Sequence, residues 1–178
     1  MVRSLEKFLA SRIPYAAAKA PCLKKHDEAI AYLLEGFTRW MVAMDHQHGP
    51  GYREIIKTTQ FDIGRSMAED IKQEYNLGDD LDSAITMMWM FIVPFGIRMK
   101  VTKINKGRIR EEKTHCPIYD IFREVGVEYC NELCLSMTSG WLAALSPDLR
   151  FEMVRNAGKD HYCIKDIIDT RLVADQKE

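Results

Sequence analysis

The side chains with chemical potential gather in the second half of the chain. Cys116 sits inside KTHCPIYDIF, residues 113–122, with His115 before it and Pro117 after it. The pattern changes there from polar alternation to helical spacing, and Pro117 suits a first helical turn. A cysteine entering a helix meets unpaired backbone N–H groups and the positive end of the dipole. Both lower a thiol pKa and favour a nucleophile or a metal ligand. The same position equally suits a small apolar residue that fills the gap where a sheet meets a helix.

Four of the five cysteines, Cys116, Cys130, Cys134 and Cys163, fall between positions 116 and 163, and only Cys22 lies outside. Cys130 and Cys134 are one helical turn apart. That spacing permits a shared metal, but both also belong to an apolar stripe with Leu133, Met137 and Trp141. Asp160, His161 and Cys163 follow at a turn, where Asp160 can simply close the turn through its own backbone. Their spacing matches no zinc ribbon or finger. If Tyr162 and Ile164 face the helices, strand alternation turns Cys163 away from Cys134. His46 and His48, in DHQHGPG, read as an exposed Gly-Pro turn. RIREEKT, residues 108–114, reads as a solvated face.

The elements that must position these residues are legible from their periods. Residues 27–45 carry Ile30, Leu33, Leu34, Phe37, Trp40, Met41 and Met44 at helical spacing. Residues 52–76 place Ile55, Ile63, Met67 and Ile71 on a second stripe, and Asp80 caps a third helix. After Gly96 the period becomes two. Strands are expected near 97–104, 108–114, 149–156 and 161–168, the second of them at a sheet edge. Helices are expected at 116–124 and 127–145. The fold class is α+β: N-terminal helices, then ββ-αα-ββ, with a four-stranded antiparallel sheet packed against helices. One domain is expected over 1–178, helical in 1–95, sheet-containing in 96–169, with a polar tail at 170–178.

The motifs HCPIYDIFREVGVEYCNELC and SPDLRFEMVRNAGKDHYCIKD resemble the L-2-amino-thiazoline-4-carboxylic acid hydrolase family, itself similar to 4-vinyl-reductase-like small-molecule-binding domains. The matching features are Cys116-Pro117, Cys134 on the long helix, Ser146-Pro147, and the turn Asp160 to Cys163. Lys159 departs from the pattern, standing where the family has a glycine. The resemblance implies a hydrolase that opens a C–N bond in a small cyclic amidine or thiazoline. Cys116 would be the nucleophile, or with Cys134 and Cys163 a metal ligand, with zinc the candidate metal. Asp160 or His161 would move the proton, and Trp141 and His115 would line the substrate site. The rival expectation is a non-enzymatic domain enclosing an apolar or tetrapyrrole-like ligand.

Bulk composition narrows the partners. Of 178 residues, 47% are hydrophobic, and 25 Lys plus Arg balance 26 Asp plus Glu for a net charge of -1. No basic excess draws nucleic acid. The longest apolar run, residues 87–97, is too short to cross a bilayer and contains Pro94. Neither a secretory signal nor a disulfide framework is expected, so the default is a cytoplasmic protein with reduced thiols. Met87, Met88, Trp89 and Phe91 are apolar around one helix. A second copy of the chain is expected to cover part of it.

Overall fold

The computed structural model describes the backbone of residues 20–174 and the side chains of residues 29–173. The start of the region expected to be helical (1–95), Cys22 and the end of the polar tail lie outside the described side chains. Three helices come first: α1 (Ala20–His48), α2 (Pro50–Tyr75) and α3 (Leu81–Ile92). Gly49 separates α1 from α2 with φ 69°, a left-handed value that glycine adopts without strain. Pro50 then opens α2 with its φ already helical. Asp80 caps α3 by accepting the Ser83 N–H at 2.7 Å.

The sheet contains β1 (Arg98–Asn105), β2 (Arg108–His115), β3 (Leu149–Arg155) and β4 (Ile164–Asp169) in the order β1-β2-β4-β3. Every neighbouring pair is antiparallel. Between the hairpins run α4 (Pro117–Val125), a π-helical turn (Asn131–Leu135) and α5 (Ser136–Leu145). The architecture is α+β, helices packed on a four-stranded antiparallel sheet. The 127–145 segment departs from one straight helix. Residues 127–129 are irregular, and the π turn follows. The polar tail opens with a short helix, α6 (Thr170–Ala174).

The largest correction concerns β2. It is an inner strand, and its sequence RIREEKT is not a solvated face. Ile109, Glu111 and Lys113 are buried. The register places Glu111 opposite Lys165 and Arg110 opposite Asp166. Charges of opposite sign therefore meet directly across the two inner strands, so a strand polar by composition becomes buried. On the face away from the core, Arg110 donates to both Asp166 oxygens at 2.8 and 3.0 Å.

The core joins Met87, Met88 and Phe91 of α3 to Trp141, Leu142 and Leu145 of α5 and to Ile109 and Ile167 of the sheet. Met87, Met88 and Phe91 are thus buried within the chain, while Trp89 of the same helix is partly buried. Large exposed apolar side chains stand on α1, where Tyr32 is 75% and Trp40 51% exposed, and on α2, where Ile55 is 63% exposed. The α2 stripe is also reassigned. Ile55, Ile63 and Met67 are exposed, whereas Tyr52, Ile56, Gly64 and Ala68 are buried. Its buried face is built on small residues because α2 and α5 meet backbone to backbone. A Cβ on Gly64 would strike the Met137 carbonyl, and one on Gly140 the Phe61 carbonyl.

A second cluster, Met41, Tyr52, Ile56, Phe122 and Tyr129, ties α1 and α2 to α4 and the segment after it. The Tyr129 hydroxyl donates to Asp45 at 3.0 Å, and the Arg53 guanidinium, bonded to the same carboxylate, lies 4.8 Å from the Tyr129 ring centroid. Burial first, then the Asp45 hydrogen bond, pushes the Tyr129 phenol up to about 12. A phenol raised in the folded state stabilises fully below its unfolded pKa near 10 and loses that contribution as pH rises towards 12. Tyr129→Phe should therefore flatten the fall in urea midpoint between pH 10 and 12. An unchanged slope would contradict this account of Tyr129.

Candidate functional site

A cavity of about 250 Å³ opens between the helices and the core face of the sheet. That is roughly the liquid volume of eight waters. Its walls are mostly apolar: Met88, Phe91 and Ile92 from α3, Trp141 from α5, Met153 from β3 and Ile118 from α4. Trp141 stacks on Phe91 with centroids 6.2 Å apart, which fixes one wall.

Four thiols line this cavity: Cys116, Cys130, Cys134 and Cys163. Each arrives by a different local device. Cys116 is the residue before α4, extended at φ -144° and ψ 93°, and 8% exposed. Cys134 lies in the π turn, where the Leu135 N–H reaches the Cys130 carbonyl five residues back at 2.9 Å. Such wide turns recur at functional sites because they re-aim side chains. Cys163 precedes β4, and its carbonyl accepts the Lys113 N–H at 3.1 Å.

Alternation along β4 thus runs opposite to the sequence expectation. Lys165 and Ile167 face the helices with Cys163, while Asp166, bonded to Arg110, lies on the other face. Tyr162, in the irregular stretch before the strand, lines the cavity as well.

The other expected site residues are not brought there. Asp160 and His161 are exposed in the turn before β4, and neither lines the cavity. The His161 ring packs against Gly158 instead. His115 is also absent from the lining. Its ring lies 3.7 Å from Asp120 and edge-on to Tyr162 at 6.3 Å. Cys116 therefore has neither proposed proton carrier beside it in the cavity. Nor do Cys116, Cys134 and Cys163 form a zinc centre. Among the described residues no group of three or more His, Cys, Asp or Glu is arranged to hold a metal ion.

Burial decides the state of the thiols. It raises Cys116 against the smaller pull of the Tyr119 amide, so the helix N-terminus does not win. It pushes Cys134 up to about 12 and raises Cys130 as well. Cys134 therefore carries far less thiolate near neutral pH than an ordinary thiol does. Iodoacetamide at pH 8 should therefore label Cys134 far more slowly than it labels free cysteine. Labelling at the free-cysteine rate, read by peptide mass spectrometry on folded protein, would contradict this.

Sequence reasoning missed the charged floor of the cavity. Three lining residues carry charge: Lys113, Lys165 and, at the exposed rim, Glu128. Behind the lysines lies Glu111, fully buried, ion-paired to Lys113 and 3.4 Å from Lys165. Neither Glu111 oxygen receives a directed hydrogen bond among the described residues, so the pairs are held by charge. The Lys165 ammonium also donates to the Thr138 hydroxyl at 3.1 Å. Burial pushes the Glu111 carboxyl up, but the two lysines together outweigh it and hold it below the usual range. The available signal was Glu111 and Lys113 at i and i+2 on one strand, with Lys165 on the strand pairing with it.

No family model matches the chain, and no curated protein matches it. Among solved structures it is similar to a trafficking protein particle complex subunit 3 from Naegleria fowleri, crystallised covalently bound to palmitic acid. That likeness has a TM-score of 0.48 and 13% identity, and covers 79% of this chain and 94% of that one.

Proposed function

We propose that this protein binds a small, largely apolar molecule enclosed between its helices and sheet. The observation that carries the reading is the roughly 250 Å³ cavity, walled by Met, Ile, Phe and Trp side chains and by cysteine thiols. Concave apolar sites with a few convergent polar groups are what small-ligand binding needs. Native mass spectrometry of the purified protein tests it. A single bound small molecule released on denaturation, or stoichiometric uptake of an added apolar ligand, is the expected result. Protein that holds no ligand and takes up none would overturn the reading.

A second reading is a hydrolase of cyclic C–N substrates with Cys116 as nucleophile, similar to the thiazoline hydrolases. One observation favours it: Cys116 faces the cavity from the start of α4, and Lys113 pulls its thiol towards ionisation. Burial of the thiol, and the absence of Asp160 and His161 from the cavity lining, weigh against it. Incubation with 2-amino-thiazoline-4-carboxylate decides: turnover lost in Cys116→Ser supports the hydrolase, and no turnover by the wild type removes it.

A further inference from the structure

The ligand-binding reading says nothing about charge, yet the floor of the cavity is not neutral. Lys113 and Lys165 are both buried and both line the cavity. Among the described residues they have one carboxylate between them, Glu111. The remaining neighbours of the two ammonium groups are uncharged: the Met99 sulfur 3.8 Å from Lys113, the Thr138 hydroxyl, and the Phe151 ring 5.8 Å from Lys165. Two other acids near the sheet are engaged elsewhere. Asp166 is held by Arg108 and Arg110, and Asp120 by Arg123 and Tyr162. Glu128 stands at the exposed rim. Among the described residues, two buried cations against one anion leave a net positive charge at a largely apolar cavity, which is costly until a second anion arrives. An ammonium carries three donors, and the neighbours named above leave some of them free to meet a ligand.

We propose that the ligand is an organic monoanion: a carboxylate-type head seated on Lys113 and Lys165, with a compact apolar body lying along Trp141, Phe91 and Met88. This rests on the ligand-binding reading and adds the chemical class. Glu111 then acts as a positioning residue that holds the two ammonium groups apart and facing the cavity. The head completes a neutral set of two cations and two anions, which is why an enclosed apolar site tolerates it.

The test uses three probes with one body and three heads: phenylbutanoate, phenylbutanol and phenylbutylamine, each titrated by calorimetry into the full chain. Phenylbutanoate should bind at least about tenfold more tightly than phenylbutanol, and phenylbutylamine should not bind. Equal affinity for phenylbutanoate and phenylbutanol would overturn the anion proposal and leave the cavity reading standing. Failure of all three to bind would overturn both. Lys165→Met should remove the preference for phenylbutanoate and keep phenylbutanol binding, and a retained preference contradicts the proposal. Because the three probes are compared on the wild-type protein, they decide the matter even where a variant does not fold.

Discussion

Glu111→Ala should be the most damaging single change in the sheet, costing about 3–5 kcal/mol, the usual cost of stranding a buried charge by removing its partner. It leaves Lys113 and Lys165 buried with no carboxylate between them. Chemical denaturation followed by far-ultraviolet circular dichroism reads the loss. The triple change Glu111→Leu, Lys113→Met and Lys165→Met removes all three charges and keeps the volume. It should recover most of the stability, since apolar replacements of buried ion pairs are often neutral or better. It should also abolish any preference for anions. A harmless Glu111→Ala would mean that water or a mobile lysine relieves the charge, contradicting the buried triad. The acid limb carries the same signature. A carboxyl held below its usual range stabilises above its unfolded pKa and loses that contribution as pH falls through the folded value. Replacing Glu111 should flatten the acid limb below about pH 4.5.

Gly140→Ala should cost about 3 kcal/mol, the upper end of the overpacking range, although alanine is the better helix former. In an open helix the same change gains about 0.5–1 kcal/mol. At Gly140 the new methyl would meet the Phe61 carbonyl and lie 2.9 Å from the Arg65 amide nitrogen. Both are backbone atoms of α2, which cannot yield without moving the helix. Gly36→Ala on α1 is the control, since a Cβ there has nothing within 4 Å among the described residues. Urea midpoints should move in opposite directions for the two substitutions. If Gly140→Ala stabilises as Gly36→Ala does, the close crossing of α2 and α5 is wrong.

The layout was legible because periods are local. The helical spacing of α1 and α2, the Asp80 cap, the switch to period two after Gly96 and the hairpin spacing each depend on nearby residues. What stayed hidden depends on pairing between distant segments. RIREEKT has the composition of a solvated strand, and only its register against β4 reveals that Glu111 meets Lys165 and Arg110 meets Asp166. The same buried lysine inverted the reading of Cys163, because Lys165 rather than Ile164 marks the inward face. Gly64 and Gly140 gave no periodic signal, since their role is to let two backbones touch.

The candidate site was half legible. Cys116, Cys134, Cys163 and Trp141 do share one cavity. Asp160 and His161 drew attention by chemistry alone, and the turn that carries them faces solvent. At Cys116 desolvation of the thiol outweighs the pull of the Tyr119 amide at the start of the helix, a balance set by burial that residue order alone does not reveal.

The central claim is that the space beneath α3 and α5 is a working binding cavity. Calorimetric titration with phenylbutanol, which has no charged head, tests it most directly. Saturable one-to-one binding with a negative heat-capacity change is the expected result, since apolar surface leaves water on binding. That binding should be lost in Cys134→Trp, whose indole would fill the cavity. No saturable binding by the wild type up to millimolar probe, or undiminished binding by a folded Cys134→Trp, would contradict the claim.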